Sequence, residues 1–210
     1  MFSAKHPIKI GTWNVRTLYQ SGKSHQVAKE MDRYQFEILG LGEVRWNTSV
    51  MTTLTTGHTI IYSGSSDAND IHDKGVGFML TKKPKRFLLE WNPVSAAIIP
   101  ARFYTKFQKA IIITVYLPTN NATEDDKHDF YNSFQTTINS IPKRDILMLM
   151  GDLNAKVGTD RKGREREMGP NGIVEMNENG ELFADFCDFF HTKSGKKLHG
   201  SHLLEILKTK

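Results

Sequence analysis

Cysteine is almost absent from this sequence: Cys187 is the only one in 210 residues. No internal disulfide can form, and a reduced intracellular setting, nuclear or cytoplasmic, is expected. Long hydrophobic runs are missing too. No apolar stretch approaches the roughly 18 residues that a membrane span needs, so a membrane partner is not expected. The first residues, Met1 to Pro7, contain no apolar leader core, which argues against secretion. There is no internal repeat and no low-complexity linker, so one domain is expected. The sequence does not specify the oligomeric state.

What is present is an ordinary globular mixture, 39% hydrophobic and 24% charged, with a formal net charge of +5 and a pI near 9.2. Excess cations make a polyanionic partner plausible, because they attract phosphates. A merely basic soluble protein fits the charge equally well.

The hydrophobic pattern predicts strands at 8–14, 36–42, 59–63, 75–81, 87–91, 95–103, 109–117 and 145–151. The Ile111-Ile112-Ile113-Thr114-Val115 run is the strongest of these. Helices are predicted over 24–33, with Ser24 as a cap and Val27 and Met31 on the buried face, and over 125–141, where Phe130, Phe134 and Ile138 recur at helical spacing. A last helix is expected over 179–190, with Leu182, Phe183, Phe186 and Phe189 on its apolar side. Strands interspersed with helices suggest sheets covered by helices. The polar stretches 64–74 and 160–177 read as surface loops. The cations of the second, Arg161 to Arg166, either contact nucleic-acid backbone or simply face solvent.

Three strand ends carry polar residues: Gly11-Thr12-Trp13-Asn14, Gly42-Glu43-Val44-Arg45-Trp46 and Gly151-Asp152-Leu153-Asn154. Open sheets place their sites just past strand ends. Singly, each fragment reads as a turn or a solvated carboxylate; the combination is more specific. Cutting a phosphodiester requires an electrophilic metal, an oriented water and donors for the developing charge. Glu43 is a hard oxygen ligand suited to Mg²⁺. Asp152 can take a proton from the attacking water. Asn14 and Asn154 can donate amide hydrogen bonds without adding negative charge beside the phosphate. Tyr116 ends the isoleucine-rich strand, and its hydroxyl can donate to a phosphate oxygen or serve only packing.

The order Gly-Thr-Trp-Asn-Val, Leu-Gly-Glu-Val-Arg-Trp, Gly-Val-Gly-Phe, Tyr-Leu-Pro-Thr-Asn, Gly-Asp-Leu-Asn-Ala resembles the endonuclease/exonuclease/phosphatase superfamily, and within it the endonuclease domains of RTE-clade non-LTR retrotransposons. The match runs from about Ile8 to Cys187. The resemblance implies an α/β fold, a four-layer α/β sandwich of two packed mixed sheets flanked by helices. It implies a Mg²⁺-dependent DNA endonuclease, with Mn²⁺ as a possible substitute, that nicks target DNA. Asn14, Glu43, Tyr116, Asp152 and Asn154 fall on the family's active-site positions. Glu43 and Asn14 would serve the metal, and Asp152, Asn154, Tyr116 and Asn14 the chemistry. Arg102, on the strand before the isoleucine-rich one, falls on a basic position that with Asn154 would hold substrate.

The family continues with Trp-x-Ser-Pro-Asp and closes its site with Asp-His. Neither motif follows Cys187, and His191, His199 and His202 each lack a preceding Asp. Back-translated and regrouped one frame back, residues 190–210 can encode Lys-Ala-Thr-Trp-Val-Ser-Pro and then Thr-Glu-Asn-Gln, which resembles the family's segment. The hidden Trp requires a visible Gly, and Gly200 supplies it. The expectation is therefore a domain over 1–190, incomplete and missing its last strands, followed by an out-of-frame tail over 191–210. A catalytically impaired nuclease and a non-catalytic nucleic-acid-binding or unstable remnant both follow from that.

Overall fold

A computed structural model describes residues 8–65, 74–156 and 175–194, with side chains of the last helix described to residue 188. Its strands are β1 (Ile10–Asn14), β2 (Ile38–Gly42), β3 (Ser49–Thr53), β4 (Thr59–Ser63), β5 (Val76–Leu80), β6 (Leu88–Trp91), β7 (Ile98–Phe103), β8 (Ala110–Tyr116) and β9 (Ile146–Asp152). Its helices are α1 (Lys23–Arg33), α2 (Lys82–Lys85), α3 (Glu124–Asn139) and α4 (Glu178–Ser194).

The strands form two mixed sheets, ordered β1-β2-β5-β4-β3 and β6-β7-β8-β9. Residue alternation along β8 shows how they stack. Ile111, Ile113 and Val115 face α3 and pack on Phe130, Phe134 and Ile138. Ile112, one residue out of phase, faces the other sheet and meets Ile38, Phe78 and Leu80. On the far side, α1 lays Val27, Ala28 and Met31 over Leu39, Leu41 and Met79. Period two in the strands and near-period four in the helices thus give four layers, helix–sheet–sheet–helix. The expected four-layer α/β sandwich is the fold. Among the described residues, β1 and β9 are each paired on one side only.

Three details differ from the sequence reading. Helix α1 begins after Gly22, which sits in the left-handed region at φ 76° with no side-chain cap, so Ser24 is inside the helix rather than its cap. Strand β3 escaped notice because four of its five residues are exposed, which leaves no alternation to see. Short α2, Lys-Lys-Pro-Lys, has no apolar periodicity. The polar stretches 66–73 and 157–174, including Arg161 to Arg166, and the tail from 195 lie outside the described residues.

Candidate active site

Strands β1 and β2 run parallel, as do β8 and β9, so each pair delivers its C-terminal ends to one edge of its sheet. Both edges lie at the same end of the sandwich, where Asn14 of β1 reaches Asp152 of β9 across the sheets. This is the end where α/β sheets collect functional loops.

Asn14 is the hub. Its amide nitrogen donates to Glu43 Oε1 at 2.5 Å and lies 3.4 Å from Asp152 Oδ2. Its oxygen accepts the backbone N–H of Arg16 at 3.0 Å. Asn14 therefore presents a donor to two converging carboxylates, and this orientation does not offer its oxygen as a metal ligand. Glu43 has a second partner: Arg45 Nη2 donates to its Oε2 at 2.9 Å. The Glu43 side chain is only 16% exposed, so it is aimed into the cluster and not into solvent.

Asp152 takes its other contact locally. Its Oδ1 accepts the backbone N–H of Asn154 at 3.1 Å, which fixes the carboxylate against its own turn. Asn154 in turn donates its side-chain amide to the Leu117 carbonyl at 2.8 Å. One of its two N–H groups is thus spent on tying β9 to the segment after β8. Tyr116 is the register partner of Asp152. Its ring and Asn14 both lie 3.8 Å from where a side chain on Gly42 would begin, so Gly42 sits between the two.

The backbone at this end is strained. Arg16, Glu43, Arg45, Thr48 and Asn154 all adopt positive φ, between 44° and 67°; among the described non-glycine residues only Gln35 does so elsewhere. Such angles cost energy and persist where the surroundings over-determine them, often at functional sites.

Arg102 is not brought to this cluster. It pairs in register with Ile111, five residues before Tyr116, which places it about 16 Å away along the strand. Its Nε donates to Asp145 at 2.6 Å and its Nη1 to Glu90 at 2.9 Å. These bonds, Asp145 first, raise its pKa above the usual guanidinium value. Arg102 thus ties β6 to the segment that leads into β9.

Sequence reasoning missed three supports. Arg45 has no role in the motif as sequence yet holds Glu43 Oε2. Asn177 caps α4: its Oδ1 accepts Gly180 N–H and Lys156 N–H, both at 2.8 Å. Asn179, 3% exposed, donates to the carbonyls of Pro118 at 2.7 Å and Asn154 at 3.2 Å. An Asn three residues before a Gly at a helix start is a capping signal, but nothing local ties it to the Asp152 turn.

Two carboxylates and two asparagines thus meet at the shared C-terminal ends of two packed sheets. The sequence profile of the Endonuclease/Exonuclease/phosphatase family matches residues 11–195, and the chain belongs to that family. It is 34% identical over 178 residues to craniofacial development protein 2 of Tragulus javanicus and 33% identical to that of Bos taurus. The match covers 85% of this chain and 30% and 29% of those relatives, so the chain spans under a third of their length. Among solved structures, the endonuclease domain of TRAS1, a telomere-specific non-LTR retrotransposon, superposes with a TM-score of 0.57 at 12% identity, covering 87% of this chain and 70% of that one. The AP endonuclease LMAP from Leishmania major gives 0.57 at 12% identity, covering 93% and 72%. These likenesses define the fold.

Proposed function

We propose that this chain is a divalent-metal-dependent phosphodiesterase module, a DNA endonuclease of the kind that non-LTR retrotransposons use to nick target DNA. The observation that carries this reading is the Glu43–Asn14–Asp152 cluster, joined across two sheets at 2.5 and 3.4 Å. The donor set fits Mg²⁺ or Mn²⁺: hard oxygens from few protein groups, which suits a cation that keeps several waters. No group of three or more His, Cys, Asp or Glu is found among the described residues, which disfavours a fully protein-caged metal. Bound beside Glu43, the ion supplies charge neutralisation at the scissile phosphate.

The residues divide the remaining work. Glu43 holds the cation, and Asn14 and Arg45 fix the two carboxylate oxygens in place. Asp152, steadied by the Asn154 N–H, accepts the proton of the attacking water. With the Asn14 amide nitrogen directed at Glu43 and Asp152, the Tyr116 hydroxyl is the donor to a phosphate oxygen. Asn154 positions Asp152 through its backbone N–H.

A second reading is favoured by one sequence fact: no Asp-His pair occurs in these 210 residues. A polypeptide of residues 1–210 then binds metal and nucleic acid with little turnover. Metal binding tests the shared part of both readings. Titration of Mn²⁺ followed by electron paramagnetic resonance is expected to show one site, weakened at least tenfold by Glu43→Gln. Unchanged affinity in Glu43→Gln would remove Glu43 from the metal site.

A further inference from the structure

At the end of the sandwich opposite Glu43, four connections carry exposed cations. Lys9 leads into β1. Lys82 and Arg86 flank α2 after β5, and Lys109 precedes β8. Lys143 and Arg144 fill the turn before β9. The register brings these together, since Ile10 pairs with Ile38, Ile38 with Leu80, and Ala110 with both Phe103 and Ile146.

The acids at this end are already engaged. Glu37 pairs with Lys83 at 3.0 Å, Asp145 with Arg102 at 2.6 Å, and Asp32 with His58 at 3.0 Å. Among the described residues no acid pairs with Lys82, Arg86, Lys109, Lys143 or Arg144, while Lys9 donates to the Tyr34 carbonyl at 2.9 Å and Arg33 pairs with Glu30 at 3.3 Å. Aromatic rings stand among the cations. Phe107 is 83% exposed, Tyr104 46% and Tyr34 40%. Lys106 lies 5.3 Å from the centre of the Phe107 ring and Arg33 5.5 Å from that of Tyr34. Phe107 stands almost wholly clear of the fold, and cations beside flat rings suit one ligand class: a phosphate backbone with unpaired bases that can stack.

We propose that this pole binds single-stranded nucleic acid, independently of the Glu43 cluster at the other end. The phosphates track the cations of the four connections, and bases stack on Phe107 and its neighbours. A chain so equipped can cut at one end while holding a strand at the other.

The test is fluorescence anisotropy with a labelled single-stranded oligonucleotide of mixed sequence, in EDTA, across a salt series. The combined variant Lys82→Ala, Arg86→Ala, Lys109→Ala is expected to lower the slope of log affinity against log salt by about 2, at roughly 0.7 per lost phosphate contact. Phe107→Ala is expected to weaken binding by about fivefold or more with the slope unchanged, as for loss of one stacked base. EDTA keeps divalent ions off the Glu43 cluster, so this outcome is read separately from the Mn²⁺ titration that tests the metal-site reading. Melting curves matching the wild type confirm that the variants fold. Equal affinity and slope in the triple variant overturn the proposal. So does a polyglutamate peptide that competes as well as the oligonucleotide at equal charge, which would assign the pole to acidic proteins.

Discussion

At the scale of single residues, the site depends on small side chains as much as on charged ones. Gly151 adopts φ 134°, and a Cβ there would sit 1.9 Å from the Val115 carbonyl oxygen. Only glycine tolerates that conformation at low cost. Gly151 also directly precedes Asp152, so it sets where the carboxylate leaves the strand. Gly151→Ala is expected to destabilise the fold by at least about 1–3 kcal/mol from strain alone, measured by urea denaturation. A loss under about 0.5 kcal/mol would mean that the strand end relaxes freely. The residues of the cluster were legible in the sequence because each stands directly after an apolar strand. The direction of each amide was not. Which atom of Asn14 faces Glu43, and the commitment of Asn154 to Leu117, depend on neighbours 29 and 37 residues away.

At the scale of elements, two caps matter. The Thr123 hydroxyl accepts the Asp126 N–H at 3.1 Å and donates to the Asp126 carboxylate at 2.7 Å, closing the start of α3. Thr123→Ala is expected to cost about 1 kcal/mol. The hydroxyl bond also holds the Asp126 carboxyl below its usual pKa of 3.8. A depressed carboxyl contributes stability above the unfolded value and loses it as pH falls through the lower folded value. The difference between wild type and Thr123→Ala is therefore expected to be constant from neutrality to about pH 4 and to shrink below it, read from denaturation midpoints. A difference that shrank between pH 7 and 5 would contradict this. Helix α4 is anchored differently, by Phe186 stacked 4.8 Å from Phe134 and by Asn177 and Asn179 at its start. The strong elements were read correctly because burial imposes a period: β8 and α3 are examples. Exposed β3 and the four-residue α2 have no buried face to impose one, and the cap of α1 is a backbone conformation that sequence does not spell out.

At the scale of the whole molecule, the two packed sheets place four parallel strand ends at one pole, and the proposed catalytic cluster is their product. The cluster joins residues 138 apart in sequence, Asn14 and Asp152, so its geometry stands on the packing between the sheets. Loss of a transition-state donor or proton-transfer group costs roughly 10²–10⁴-fold in rate. With the proposed site and no Asp-His pair, a polypeptide of residues 1–210 is expected to bind metal and to turn over slowly. The most direct measurement is nicking of supercoiled plasmid with Mg²⁺, comparing residues 1–210, an extended chain in which residues 190–210 are replaced by a family C-terminal segment carrying the Asp-His pair, and each carrying Glu43→Ala. Glu43-dependent nicking is expected from the extended chain, at a rate at least about 10²-fold higher than that of residues 1–210. Nicking by residues 1–210 within about tenfold of the extended chain, abolished by Glu43→Ala, would show that the Asp-His pair is dispensable. Nicking by the extended chain that survives Glu43→Ala would contradict the site itself.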